Sequence, residues 1–157
     1  MNLENFSTYY ESYRWEGKHN LFGYPADSFP EFSWIKSLET RFDWLRSKGK
    51  ETASIYLIKE MIEWGGSQNG VLQKFNDRCG EVNLYELIQT VIISLNDPRE
   101  AIKTALDIPG LGLTYASKLL RFFNPESFGA LDGRIRKALE KEGMLKNIND
   151  SSNSSMI

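Results

Sequence analysis

Three observations predict an all-α fold. Apolar residues recur at helical spacing along most of the chain, capping residues stand at the heads of those stripes, and nothing repeats at a fixed period. Phe6, Tyr9, Tyr10 and Tyr13 fall at i, i+3, i+4 and i+7, the stripe of an amphipathic helix, and a turn-rich link with Gly17, Gly23, Pro25 and Pro30 follows. Trp34, Ile35, Leu38, Phe42 and Leu45 form a second stripe that closes at Ser47-Lys48-Gly49. Ile55, Ile58 and Ile62 form a third that closes at Gly65-Gly66, so the two read as an antiparallel helix pair. After the loop from Gly65 to Gly70 comes a short helix around Val71 to Arg78. Asn83 with Glu86 has the spacing of a capping box ahead of Leu84, Leu87, Ile88, Val91, Ile92 and Leu95. Asp97, with Pro98 at the tolerated first helical position, repeats the device for the next helix. Leu113, Ala116, Leu120 and Phe123 mark the helix after that, which Asn124-Pro125 breaks. Leu131, Ile135 and Leu139 run along a last helix opened by Asp132.

Composition bounds the rest. The chain has 157 residues, 41% of them apolar and 13% aromatic, enough for one substantial core, and a single domain over residues 1–146 is expected. Residues 147–157 are rich in Asn and Ser and have little to bury; they read as a mobile tail. A formal charge of −2 argues against a protein that coats nucleic acid indiscriminately, because that role needs a broad basic surface. Cations do gather late in the chain, as Lys118, Arg121, Arg134, Arg136, Lys137, Lys141 and Lys146, against Glu126, Asp132, Glu140 and Glu142. The single cysteine, Cys79, excludes an internal disulfide and a four-thiolate iron–sulfur cluster. The single histidine, His19, gives no basis for a transition-metal site, and no metal is expected. No long apolar run and no cationic leader stands in the sequence, so a cytoplasmic, monomeric protein without membrane contact is the expectation.

Chemistry concentrates in Ile108-Pro109-Gly110-Leu111-Gly112, in the helix that follows, and in Leu131-Asp132-Gly133. A hairpin of two helices, spanning residues 98–123, can press backbone N–H groups on a phosphate where Gly110 and Gly112 leave no Cβ in the way. The same glycines also suit a plain tight turn between helices, and Asp132 also suits a plain helix N-cap. The stretch resembles the helix-hairpin-helix of the DNA glycosylase superfamily. That signature has a hydrophobic residue, Pro-Gly-x-Gly, an Ala four residues on (Ala116), a Leu pair (Leu119-Leu120) and an Asp at the head of a later helix (Asp132). The sequence Leu131-Asp132-Gly133 and its distance from Pro109 are similar to the adenine-mismatch branch. Upstream, Glu63-Trp64-Gly65-Gly66-Ser67-Gln68-Asn69-Gly70 resembles the loop of 8-oxoguanine glycosylases that fills the gap left by an extruded base. Together the resemblances cover roughly residues 55 to 142.

The resemblance implies a monofunctional enzyme on double-stranded DNA that hydrolyses the N-glycosidic bond of an altered, mismatched or modified base. Asp132 would stabilise positive charge developing on the sugar and guide the attacking water. Gly110, Leu111, Gly112, Lys118, Arg134 and Arg136 would contact DNA, Gln68 and Asn69 would fill the gap, and Trp64 would offer a stacking surface in a base pocket. Lyase members of the family carry a lysine five positions after the hairpin proline; Thr114 stands there, so amine catalysis is not expected, and helix geometry is expected to turn Lys118 elsewhere. No cofactor is implied beyond a monovalent cation on hairpin carbonyls. The stretch from Gln68 to Leu113 is shorter than in the family's enzymes, which leaves three expectations for the pocket: more open, completed by the aromatic N-terminal segment, or absent. Trp64 also fits core packing, and Gln68 and Asn69 fit an ordinary loop. Two further readings stay open: a DNA-binding module without catalysis, and a helical protein-interaction domain.

Overall fold

The helix Leu113–Phe123 buries eight of its 11 residues against helices from both the early and the late part of the chain. The computed structural model describes residues 11, 14–15, 22–24, 27–28, 30–49 and 51–141. The stripe Phe6, Tyr9, Tyr10 and Tyr13, His19 and the tail 147–157 lie outside the described residues. Among the described residues the fold is all-α. The helices are α1 (Ser33–Lys48), α2 (Glu51–Trp64), α3 (Val71–Arg78), α4 (Leu84–Ser94), α5 (Pro98–Leu106), α6 (Leu113–Phe123) and α7 (Gly133–Lys141). Short 3-10 turns cover Gln68–Gly70 and Cys79–Glu81.

The sequence reads as helical throughout, and the N-terminal part departs from that. Arg14–Trp15 (β1) pairs antiparallel with Asp27–Ser28 (β2), Arg14 opposite Ser28 and Trp15 opposite Asp27. Two residues per strand give too short an alternation to register as a strand pattern. Between them Gly23 holds φ +74°, a turn conformation that glycine adopts without steric cost. Phe22 and Tyr24 then pack on Trp34 at 5.2 and 5.7 Å between ring centroids, and the Tyr24 hydroxyl meets Ser37 Oγ at 2.6 Å.

Caps at the helix heads follow the sequence. Asn83 Oδ1 accepts from the Glu86 amide at 3.2 Å, and Asp97 Oδ1 accepts from the amides of Arg99 and Glu100 at 3.0 and 3.2 Å. Ala101 and Ala105, both fully buried, let α5 approach α4 and α6 closely. From α1, Trp34, Leu38, Phe42 and Leu45 are fully buried, and Phe42 stacks on Phe122 and meets Phe123 edge-on, at 5.3 and 5.1 Å. Ile58 and Ile62 of α2 are fully buried as their spacing predicts, whereas Ile55 is half-buried. The buried side chains form one contiguous cluster drawn from α1 to α6 and the turn before α6.

One polar group inside that cluster escaped the sequence reading. Glu60 of α2 accepts from the Trp34 indole at 2.9 Å and from both guanidinium nitrogens of Arg41, at 2.5 and 2.7 Å. The bidentate pair holds the Arg41 guanidinium above its ordinary proton affinity, chiefly through the hydrogen bond to Glu60 and against the cost of burial. It joins α1 to α2 beside the apolar contacts. At the other end Arg121 of α6 pairs with Glu39, and Arg46 donates to the Phe123 carbonyl at 3.0 Å, so α1 also fixes the C-terminus of α6.

Candidate nucleic-acid interface

The turn that joins α5 to α6 is anchored from inside. Ile108 and Leu111 are buried, and the Leu111 amide donates to the Ile108 carbonyl at 3.1 Å. Leu111 therefore gives its side chain to the core. Gly110 sits at φ +80°, and a methyl added there would lie 2.8 Å from the Phe75 amide nitrogen and 3.1 Å from the Val71 carbonyl oxygen. Its missing side chain is thus used within the fold, where the turn lies against the α3 backbone. Gly112 differs: it is exposed, extended at φ −89° and ψ 179°, has open space where a Cβ would go, and heads α6 without a side-chain cap. Of the two glycines, Gly112 is the one that leaves the first turn of α6 approachable from outside.

Helix α6 buries eight of its 11 residues, so a single apolar stripe of Leu113, Ala116, Leu120 and Phe123 understates its burial. Leu113 itself is half-buried. Three polar positions within four residues point inward or along the helix to fixed partners. The Tyr115 hydroxyl donates to the Gly65 carbonyl at 3.1 Å and accepts from the Gln68 amide at 3.0 Å. Ser117 Oγ donates to the Thr114 carbonyl and accepts from the Leu131 amide, each at 2.9 Å. Lys118 is 5% exposed, and its Nζ donates to the Gly65 carbonyl at 3.4 Å while lying 4.8 Å from the Tyr115 ring centroid and 5.6 Å from that of Trp64. One turn after Thr114 the Lys118 ammonium therefore points at the end of α2, buried against two aromatic rings rather than exposed as a DNA contact would require.

Burial lowers the proton affinity of the Lys118 amine, and the negative charge of Asp132 acts in the opposite direction. Asp132 is half-buried; its Oδ1 accepts from the Ile135 amide at 2.8 Å, the N-cap bond of α7. The Leu131–Ser117 bond ties the residue before it to α6. Asp132, Lys118, Tyr115 and Trp64 are thus gathered around the N-terminal half of α6, with half-buried Thr114 beside them. Trp64, 7% exposed and edge-on to Phe122 at 5.1 Å, packs as a core residue. Gln68 and Asn69 are exposed on the adjacent loop.

The basic character expected near the hairpin is thinner than the residue count suggests. Lys118 is buried, Arg121 is engaged by Glu39, and Arg136 faces Glu140 at 3.6 Å. Lys137 and Lys141 are exposed on α7, and exposed Lys74 of α3 stands where the Gly110 turn rests. The backbone of Arg134 belongs to α7. Sequence reading missed Tyr115, Ser117 and Lys74. For the first two a signal was present, since the apolar residues of α6 occupy more than one face and leave its intervening polar groups no path to water. Among the described residues no group of His, Cys, Asp and Glu is arranged to hold a metal, and no helix is long and apolar enough to cross a membrane. Comparison of the chain with protein-family models, curated proteins and solved structures returns no match.

Two stability outcomes follow from this geometry. Gly110→Val should cost at least about 2 kcal/mol, through the left-handed backbone and the clash with α3, whereas Gly112→Val should cost under about 1 kcal/mol. Urea unfolding midpoints check the contrast, and equal losses would refute the packing account of Gly110. For Lys118, the folded state binds its proton less tightly than the unfolded chain does, so its burial costs stability at neutral pH, and that cost disappears as pH rises toward the ordinary value of 10.5. Lys118→Met should raise stability at pH 7 by about 1 kcal/mol and flatten the climb toward pH 10.5. Thermal melts across that range read it, and an unchanged pH profile would show that the ammonium is not desolvated.

Proposed function

We propose that this chain is a DNA glycosylase that acts on double-stranded DNA and hydrolyses the N-glycosidic bond of an altered, mismatched or modified base. The observation that carries the reading is the convergence of Asp132 with the glycine turn on one helix: the Leu131–Ser117 bond holds the approach to Asp132 against α6, whose exposed head is Gly112. A phosphate at that head would meet backbone N–H groups and the positive end of the α6 dipole. The carboxylate, one helix away, would then stabilise positive charge on the sugar as the base departs and orient water for attack. Gln68 and Asn69, exposed on the neighbouring loop, offer amide donors and acceptors to the orphaned base. Thr114 cannot form an imine, which favours hydrolysis.

One observation favours a second course for the same site. Lys118 is a buried amine with lowered proton affinity inside the electrostatic reach of Asp132, the environment in which a lysine becomes nucleophilic toward an opened sugar. The N-cap bond of Asp132 favours yet another reading, a duplex-binding module without catalysis. Gly112→Val should fold and lose duplex affinity in both DNA-binding readings.

Asp132→Asn separates catalysis from binding, because the amide retains an oxygen for the Ile135 amide and removes the charge. Base release, scored as alkali-labile sites in duplexes carrying oxidised, alkylated or mismatched bases, should fall about 100-fold or more while duplex affinity holds. Equal release by the variant would remove Asp132 from the mechanism. Borohydride trapping on an abasic duplex divides the two chemical courses: the hydrolytic enzyme leaves intact strands and no covalent adduct, whereas an adduct lost in Lys118→Met would assign the amine course.

A further inference from the structure

The loop between α2 and α3 is held partly by its own backbone and partly from outside. Helix α2 ends in a Schellman turn, with the Gly66 amide donating to Glu63 at 2.9 Å and the Ser67 amide to Ile62 at 3.0 Å. Beyond it, Ser67 and Asn69 both take left-handed conformations, at φ 48° and 56°, although neither is glycine. Such strain persists only where the surroundings over-determine it. The Val71 amide donates to the Gln68 carbonyl from within the loop, and from outside a phenol supplies two further bonds. Tyr115 donates to the Gly65 carbonyl and accepts from the Gln68 amide, so that its hydroxyl spans the loop from its first residue to its fourth.

Two neighbours keep that phenol in place. A methyl on Gly65 would lie 2.7 Å from Tyr115 Cε1, so glycine at this position lets the ring close on the loop. Lys118 lies over the other part of the ring at 4.8 Å and donates to the same carbonyl. Burial raises the proton affinity of the phenol, which preserves the hydroxyl hydrogen that the Gly65 carbonyl receives. Gln68, whose amide the phenol holds, and its neighbour Asn69 remain exposed.

We propose that Tyr115 is a positioning residue that holds Gln68 and Asn69 as a preset wedge for the gap in a duplex, making the α6 head and the wedge a single rigid unit. The inference rests on the DNA reading above and adds to it the part that sets the wedge. A loop ordered in advance spares the entropy of ordering it during insertion. Lys118 alone does not replace the phenol, since an ammonium cannot accept from the Gln68 amide.

Tyr115→Phe tests it, because the ring and its contact with Lys118 are kept and only the two hydroxyl bonds go. In the free protein, amide exchange at Gln68 should quicken about fivefold, equivalent to about 1 kcal/mol, with the thermal midpoint near that of the parent. On a duplex carrying a tetrahydrofuran abasic analogue opposite 2-aminopurine, affinity should stay within about twofold while the change in 2-aminopurine emission on binding falls by half or more. Binding with the parent's full emission change, or an unaltered Gln68 exchange rate, overturns the inference and leaves the glycosylase reading standing. A parent protein that gives no binding to this duplex overturns the reading and the inference together. Tyr115→Leu, which also removes the ring, should lose the emission change more completely; retention of that change in a folded Tyr115→Leu protein counts against the wedge.

Discussion

The burial of α6 on nearly all sides is the constraint from which the rest of the molecule follows. A helix sealed that far from water must satisfy every polar side chain it carries inside the protein, since an unpaired buried group costs about 1–3 kcal/mol. Three positions in four residues meet the demand by reaching two segments: Tyr115 and Lys118 share the Gly65 carbonyl after α2, Tyr115 extending to the Gln68 amide, and Ser117 reaches the lead-in of α7. The apolar contacts with Phe42 and Trp64 place α6, but these polar bonds fix where the surrounding segments end and turn. The helix is thus both the centre of the core and the mount for the candidate site.

Charge is consumed by the same packing. Glu39 engages Arg121, Glu140 engages Arg136, and Lys118 sits out of solvent, so three of the cations clustered in the sequence do not present an open positive surface. What remains is a small set of exposed lysines beside a helix terminus. In a chain of net charge −2, that arrangement suits a few phosphate contacts at a defined point rather than counterion release along a length of duplex. On the DNA reading proposed above, recognition would then rest on backbone geometry at Gly112 and on the loop that Tyr115 holds.

Local features were legible in the sequence, and cross-helix ones were not. Asn83, Asp97 and Asp132 announce helix starts because capping depends on a few neighbouring residues, and the structure carries each of those bonds. The burial of Ile58 and Ile62 follows from spacing alone. The burial of Lys118, expected as a DNA contact, was not legible because one apolar stripe does not reveal that α6 buries eight of its 11 residues. The Trp34–Glu60–Arg41 network links positions far apart in sequence on two helices, and no local pattern encodes that meeting. Gly110 and Gly112 look equivalent in the motif; only the approach of α3 separates a glycine required by packing from one that leaves a helix head open.

The role of Asp132 need not be divided between structure and chemistry. Its bond to the Ile135 amide engages Oδ1 and fixes the direction of the carboxylate, and a carboxylate has about four acceptor sites across its two oxygens. Capping therefore orients the group and leaves acceptor sites open. Lys118 is an amine whose ammonium form is weakened by burial, with the charge of Asp132 acting in the opposite direction. A buried ammonium costs more than an apolar residue of the same volume would, and at Lys118 that cost is offset by the Gly65 carbonyl and the faces of Tyr115 and Trp64; on the reading proposed above, the same polarity at the N-terminal half of α6 is what a reacting sugar would meet.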